Sequence, residues 1–176
     1  MPNLTTAKAN IPLVKNSYKN LLAMGEGRNS TDFRMIVDEY ANLEYLIQST
    51  QIPELKREVI DSKGPHGVMF KQMGNFLNAG DLTITFKEVI SGEAYACLRE
   101  WVRNKTYLDI TLSLISETED SGNPNNTWLL EDCWIELDAS DLGVEDGTTL
   151  IKPSGTIHYN WVSQLTDEED TPAGWE

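Results

Sequence analysis

The side chains able to do chemistry in this chain are few, and their spacing serves none of the usual reactions. His66 sits between Pro65 and Gly67 in a turn-like stretch, and His158 lies in an alternating one. Neither has the companion ligand at short helical spacing that a zinc site requires. No Gly-x-Ser-x-Gly elbow supplies a nucleophile. Gly25-Glu-Gly27 follows no strand and lacks the remaining glycine of a dinucleotide loop. Acids crowd between Glu117 and Asp146, but not at the alternate positions, followed by Gly and a distant Glu, that a calcium loop needs. They read as solvated acids on strand faces. Asp132 and Glu136 are a carboxylate pair of the kind that works as acid and base on glycosides, with nothing to separate them from ordinary surface acids. Cys97 and Cys133 stand far apart in apolar settings and read as two buried thiols of a reducing compartment. The expectation is a protein with no catalytic residue, no metal and no cofactor.

Charge is distributed far more unevenly than chemistry. Met1–Lys105 holds thirteen Lys and Arg against twelve acids, while Thr106–Glu176 holds one base, Lys152, against sixteen acids. The second part therefore carries −15 of the chain's net −14, offset by +1 in the first. Such a surface repels anions, and a chain this acidic is a poor grip for nucleic acid, whose phosphates are held by Lys and Arg. With 176 residues and 40% apolar content the chain can bury a substantial core. No apolar run reaches the roughly 20 residues that span a bilayer, and Met1–Ile11 lacks the basic and apolar regions of a secretory signal.

Hydrophobic periodicity supplies the scaffold. Met1–Lys15, polar with two prolines, reads as an arm. Ser17–Met24 predicts a short helix stopped by Gly25 and Gly27. Thr31–Val37 alternates as a strand, Asn42–Ile52 is open between strand and helix, and Leu55–Asp61 alternates weakly as an edge strand. Asp61–Gly80 mixes five glycine or proline punctuators with Met69, Phe70, Met73, Phe76 and Leu77 at helical spacing. It reads as a long inter-strand loop, either folded back onto the core or contacting a partner. Leu82–Glu88 is the clearest strand, with Leu82, Ile84 and Phe86 on one face. Gly92–Arg103 predicts a helix with Ser91 as cap, Glu93 in its first turn, and a stripe of Tyr95, Leu98 and Val102 flanked by Ala94 and Trp101.

Three strands follow. Tyr107–Ile115 turns Leu108, Ile110, Leu112 and Leu114 inward. Trp128–Asp138 turns Cys133, Ile135 and Leu137 inward. Thr156–Val162 turns Ile157, Tyr159 and Trp161 inward. Glu117–Asn126 reads as a polar turn and Gln164–Glu176 as an acidic tail. The sum is an α+β, mainly β fold: two packed antiparallel sheets forming a sandwich or barrel, flanked by one α-helix, in a single domain over residues 1–176.

The order of these elements carries a resemblance. Tyr45-Leu-Ile-Gln-Ser-Thr-Gln-Ile-Pro53 leads to a glycine-rich connector, then Asp81-Leu-Thr-Ile-Thr-Phe-Lys-Glu88, then a helix bearing Cys97-Leu-Arg-Glu-Trp-Val102, then Trp128–Asp138 and Thr156–Trp161. Over Thr31–Val162 this resembles the tail tube proteins of contractile-tailed bacteriophages, and more distantly the secreted tube protein of type VI secretion systems. The resemblance implies homo-hexameric rings stacked into a hollow tube, enclosed by a tail sheath and bounded by baseplate and tail terminator proteins. It implies a virion component assembled in the host bacterial cytoplasm, with no membrane partner, through which genomic DNA passes without specific binding. It also implies that residues 1–15 and 61–80 bridge neighbouring rings.

Residues and resemblance meet on charge. Duplex DNA carries about one negative charge per 1.7 Å of axis, so a conduit for it should offer few cations. Asp109, Asp132, Glu136 and Asp138 are expected to face the lumen, with the alternative that they face the sheath. Copies of a −14 chain repel one another, so ring closure requires apolar contact, expected at Met69, Phe70, Met73, Phe76 and Leu77. A tail terminator, a baseplate ring protein or a type VI-like secreted tube protein of the same fold are the neighbouring readings. A small ligand-binding β-barrel is a more remote one.

Overall fold

The computed structural model describes residues 10–116, 124–144 and 147–165. The chain divides into two compact units, Met1–Thr31 and Asp32–Glu176.

In the first unit, α1 runs Ile11–Met24, beginning well before the Ser17 start that periodicity suggests. Asn10 Oδ1 accepts the Leu13 N–H at 3.3 Å, and Pro12 sits in the first turn, where its missing N–H costs nothing. Gly25 ends the helix at φ +85°, a left-handed conformation that favours glycine. The expected arm is thus helical from Ile11 onward, because capping overrides the polar composition; residues 1–9 lie outside the described residues.

The second unit is a curled antiparallel sheet around one core. Its strands are β1 (Phe33–Val37), β2 (Ile47–Ser49), β3 (Lys56–Lys63), β4 (Met69–Leu77), β5 (Gly80–Phe86), β6 (Leu108–Leu114), β7 (Thr127–Leu137), β8 (Ser154–Tyr159) and β9 (Trp161–Gln164). The helix α2 (Glu93–Asn104) lies between β5 and β6 in sequence. The main sheet runs β1-β6-β7-β8-β5-β2, with β9 also pairing β7. The stretch Asn42–Ile52 resolves into a 3₁₀ turn, Ala41–Tyr45, followed by β2.

The corner of the fold lies in β7. Its first part pairs β6 and β9, whereas its last four residues pair β8 alone. Between the two parts the register against β6 slips by one residue, from Leu108↔Cys133 to Ile110↔Leu130. Asp132 takes φ +52° there, and its N–H is held by Asp109 Oδ1 at 3.0 Å. A bulge of this kind bends the strand and re-aims the side chains beyond it. This is why Leu130, Cys133 and Ile135 are all buried although simple alternation cannot bury all three. A second bend at Asn160, between β8 and β9, turns Val162 inward and leaves Trp161 40% exposed, the reverse of the expected inward Trp161.

Three further expectations are corrected. The buried stripe of α2 is Ala94, Leu98 and Trp101, while Tyr95 and Val102 stand about half exposed. The cap is also different. Gly92 is the N-cap residue and makes no side-chain bond; the carboxylate of Glu88 accepts the N–H groups of Val89, Ala94 and Tyr95 at 2.8–3.2 Å. A carboxylate at that end also complements the helix dipole. Of residues 61–80, expected as a long loop, 61–77 instead belong to a β-hairpin, because β3 and β4 pair from Lys56↔Leu77 to Lys63↔Met69 around a 3₁₀ turn at Pro65–Gly67, and Gly80 opens β5.

Candidate assembly surfaces

The interior of the sheet is filled. Leu82, Ile84, Phe86, Leu98, Ile110, Leu130 and Ile157 are all buried in one cluster with Trp101, whose indole N–H is held by the Thr106 carbonyl at 3.0 Å.

The first surface is acidic. Strands β5–β9 carry Asp81, Asp109, Glu131, Asp132 and Glu136, and no Lys or Arg. Asp109 points outward because Leu108 and Ile110 are buried on either side of it. Asp132 and Glu136 are exposed and flank Trp134 on the outward side of β7; Asp138 is exposed just beyond the strand end. The bulge joins Asp109 to Asp132, while Asp138 stands apart, 3.5 Å from the Ser154 hydroxyl. Of the acid cluster between Glu117 and Asp146, residues 117–123, 145 and 146 lie outside the described residues, as do residues 166–176 of the expected tail.

Pairing across strands adds a feature that the linear sequence hides. Asp81, His158 and Trp134 stand opposite one another on β5, β8 and β7. His158 Nδ1 lies 2.6 Å from Asp81 Oδ1, and its ring stacks on Trp134 with centroids 4.1 Å apart. Its Nε2 points toward Glu136 at 3.6 Å, too far for a hydrogen bond. Alternation does turn His158 outward, but only the strand register reveals its partners. The residues thus brought together pin three strands side by side.

The thiols take no part in this surface. Burial pushes the Cys133 thiol up to about 12, helped by the nearby Asp109, Asp132 and Glu131 carboxylates. Burial, with Glu100 and Glu93 close by, also raises Cys97. Both thiols are free, and neither has the thiolate character of a reactive cysteine. Among the described residues no group of three or more His, Cys, Asp or Glu is placed to hold a metal, and no helix is long and apolar enough to cross a membrane.

The second surface is the β3–β4 hairpin. Every residue of both strands is exposed except Gly74, which is half-buried. Met69, Phe70 and Met73 are 58–84% exposed, and Val59, Ile60 and Val68 lie bare beside them. Gly74 sits at a bulge where an added Cβ would come within 2.8 Å of the Glu58 Cβ. The bulge resets alternation, so Met69, Met73 and Phe76 share one face with Val59 and Arg57, and Phe70 shares the other with Ser62. Phe76 and Leu77, at the base, are only about 40% exposed. Phe76 packs edge-on against Trp161 at 6.4 Å and lies under the Arg57 guanidinium at 6.0 Å. The structure therefore separates the five expected contact residues into an anchored base and a bare distal half. The hairpin also departs from its surroundings in charge. Lys56, Arg57, Lys63 and Lys71 outnumber Glu58 and Asp61, a net +2 within a chain of −14.

No protein-family model matches this sequence, and no curated protein matches it. Solved structures do share its fold. The tube–sheath complex of an extracellular contractile injection system (PVC, extended state) matches with TM-score 0.61 at 14% identity, over 82% of this chain and 95% of that one. The sheath/tube terminator of the same system matches with TM-score 0.62 at 16% identity, over 78% and 96%. The tube-terminating cap of the anti-feeding prophage matches with TM-score 0.58 at 16% identity, over 78% and 90%. The chain has the tail-tube type of fold found in the structural parts of contractile injection particles, as the order of its elements implied.

Proposed function

We propose that this chain is the subunit of the inner tube of a contractile phage tail. Copies close into homo-hexameric rings, and the rings stack into a hollow conduit for DNA ejection. The tube is enclosed by sheath and bounded by baseplate and terminator proteins, in a virion assembled in the bacterial cytoplasm. The observation that carries this reading is a shared fold spanning nearly the whole of tube and terminator subunits. The bare apolar hairpin supports it, because repulsion between acidic copies must be overcome by apolar contact.

In this reading Asp109, Asp132, Glu136 and Asp138 face the bore. Retention of DNA scales with the phosphates that Lys and Arg neutralise, and β5–β9 offer none. Screening over about 8–10 Å confines the repulsion to the wall, which suits passage of a long polymer. Met69, Phe70, Met73, Phe76 and Leu77 contribute to contacts between subunits or rings.

Electron microscopy of the purified chain tests the proposal: stacked hollow rings are expected, and a chain that stays monomeric at high concentration contradicts it. A second reading, a terminator, cap or baseplate ring, is favoured by the equally good matches to terminator and cap subunits. Particles that stop at a single ring would select it.

A further inference from the structure

The sheet leaves one edge open beside a groove. β6 begins only at Leu108, opposite Cys133, so no described strand pairs the β6 side of Trp134–Leu137. In its place the chain turns off through Lys105 and Thr106 into α2, leaving a groove of about 670 Å³. Its walls include Trp101, Val102, Tyr107 and Trp134, with Glu136 and Lys105 as its charged groups. Val102, Tyr107 and Trp134 are each 42–53% exposed. An unpaired strand edge along an apolar trough is the arrangement that accepts an added extended segment.

We propose that the distal half of the β3–β4 hairpin from a second copy of this chain occupies the groove, with β4 residues Met69–Met73 added beside Trp134–Leu137. The inference rests on the tube reading and names the partner surface for the hairpin. Three matches support this occupant. In length, the four open residues span about 13 Å at a strand's rise, which a five-residue segment covers. In polarity, Met69, Phe70 and Met73 are bare apolar groups on a strand whose outer edge is itself unpaired. In charge, the hairpin's excess of cations meets a strand carrying Glu131, Asp132 and Glu136, and Lys71 is the one charge of β4 as Glu136 is the one carboxylate of the groove. Strand addition continues the sheet in its own plane, so the outward carboxylates of β7 keep their side.

The test combines a crosslink with a charge exchange in the full-length chain. Phe70 is replaced by a benzophenone amino acid, assembled with isotope-labelled wild-type chain, irradiated and mapped. Labelled peptides from 101–107 or 134–137 are expected. Lys71→Glu and Glu136→Lys should each raise the concentration needed for assembly about tenfold, and together restore it. Rescue by the double exchange is an outcome that damage to the fold cannot imitate. Assembled tubes whose crosslinks map to another hairpin or another face, or a double exchange without rescue, overturn this contact and leave the tube reading standing. A wild-type chain that never assembles removes both.

Discussion

The wrapped sheet and the projecting hairpin are made of the same antiparallel pairing, yet they solve opposite problems. In the sheet, β5, β6, β7 and β8 bury one side in a common core and present carboxylates and hydroxyls on the other. In the hairpin, apolar residues stand on both faces and none is buried. A two-stranded ribbon is at best marginally stable alone. The sheet therefore holds the buried core, and the bare apolar residues of the hairpin are the ones that the proposed contact between subunits would cover.

Substitutions can break that contrast from either side. The largest effect belongs to Phe70→Asp. Phe70 is exposed and distal, so monomer stability should change by no more than about 0.5 kcal/mol, as for surface sites, while tubes disappear from electron micrographs. Normal tubes from this variant would remove the distal hairpin from the contact. Phe76→Asp sharpens the distinction: because Phe76 packs on Trp161, this variant should lower thermal stability measurably as well.

On the other side stands Trp101→Ala, which removes one of the largest fully buried side chains and strips the Thr106 carbonyl of its donor. Chemical denaturation should show a loss of about 3–5 kcal/mol, and an unchanged midpoint would mean that this indole contributes nothing to the core. A smaller loss, about 1–2 kcal/mol, is expected for Glu88→Ala, which leaves the first turn of α2 without its carboxylate acceptor.

How much of this was legible in the sequence depends on where the chain keeps a regular period. Leu82, Ile84 and Phe86, and Leu108, Ile110 and Leu112, alternate without interruption, and their inward faces were readable directly. The reading slipped where one residue breaks the period: at the Asp132 bulge, at the Asn160 bend that exchanges Trp161 for Val162, and at Gly74. The last of these made β4 look helical, since a bulge between Met73 and Phe76 turns alternate spacing into three-residue spacing. The cap of α2 was missed because Glu88 acts from outside the helix, across a turn, where local capping rules do not look. The acidic residues were visible from composition. Their pairing with His158 and Trp134 required the register of three strands, and the positive charge of the hairpin was hidden within an almost neutral half.

The smallest predicted effect is in pH dependence. Burial holds the Cys133 proton in the native fold up to about 12, whereas the unfolded thiol releases it near its ordinary value of 9.0. Above pH 9 the unfolded state binds fewer protons than the native one, so stability falls as pH rises. Cys133→Val should flatten that slope in denaturant titrations between pH 8 and 10, and an unchanged slope would assign it to the tyrosines, of which Tyr159 is also raised by burial.

Cryo-electron microscopy of the particles formed by the purified chain addresses the central claim most directly. The account expects closed hollow rings of identical subunits, with Asp109, Asp132, Glu136 and Asp138 on the inner wall. A bore paved with lysine and arginine, or a chain that remains monomeric at every concentration, would contradict it.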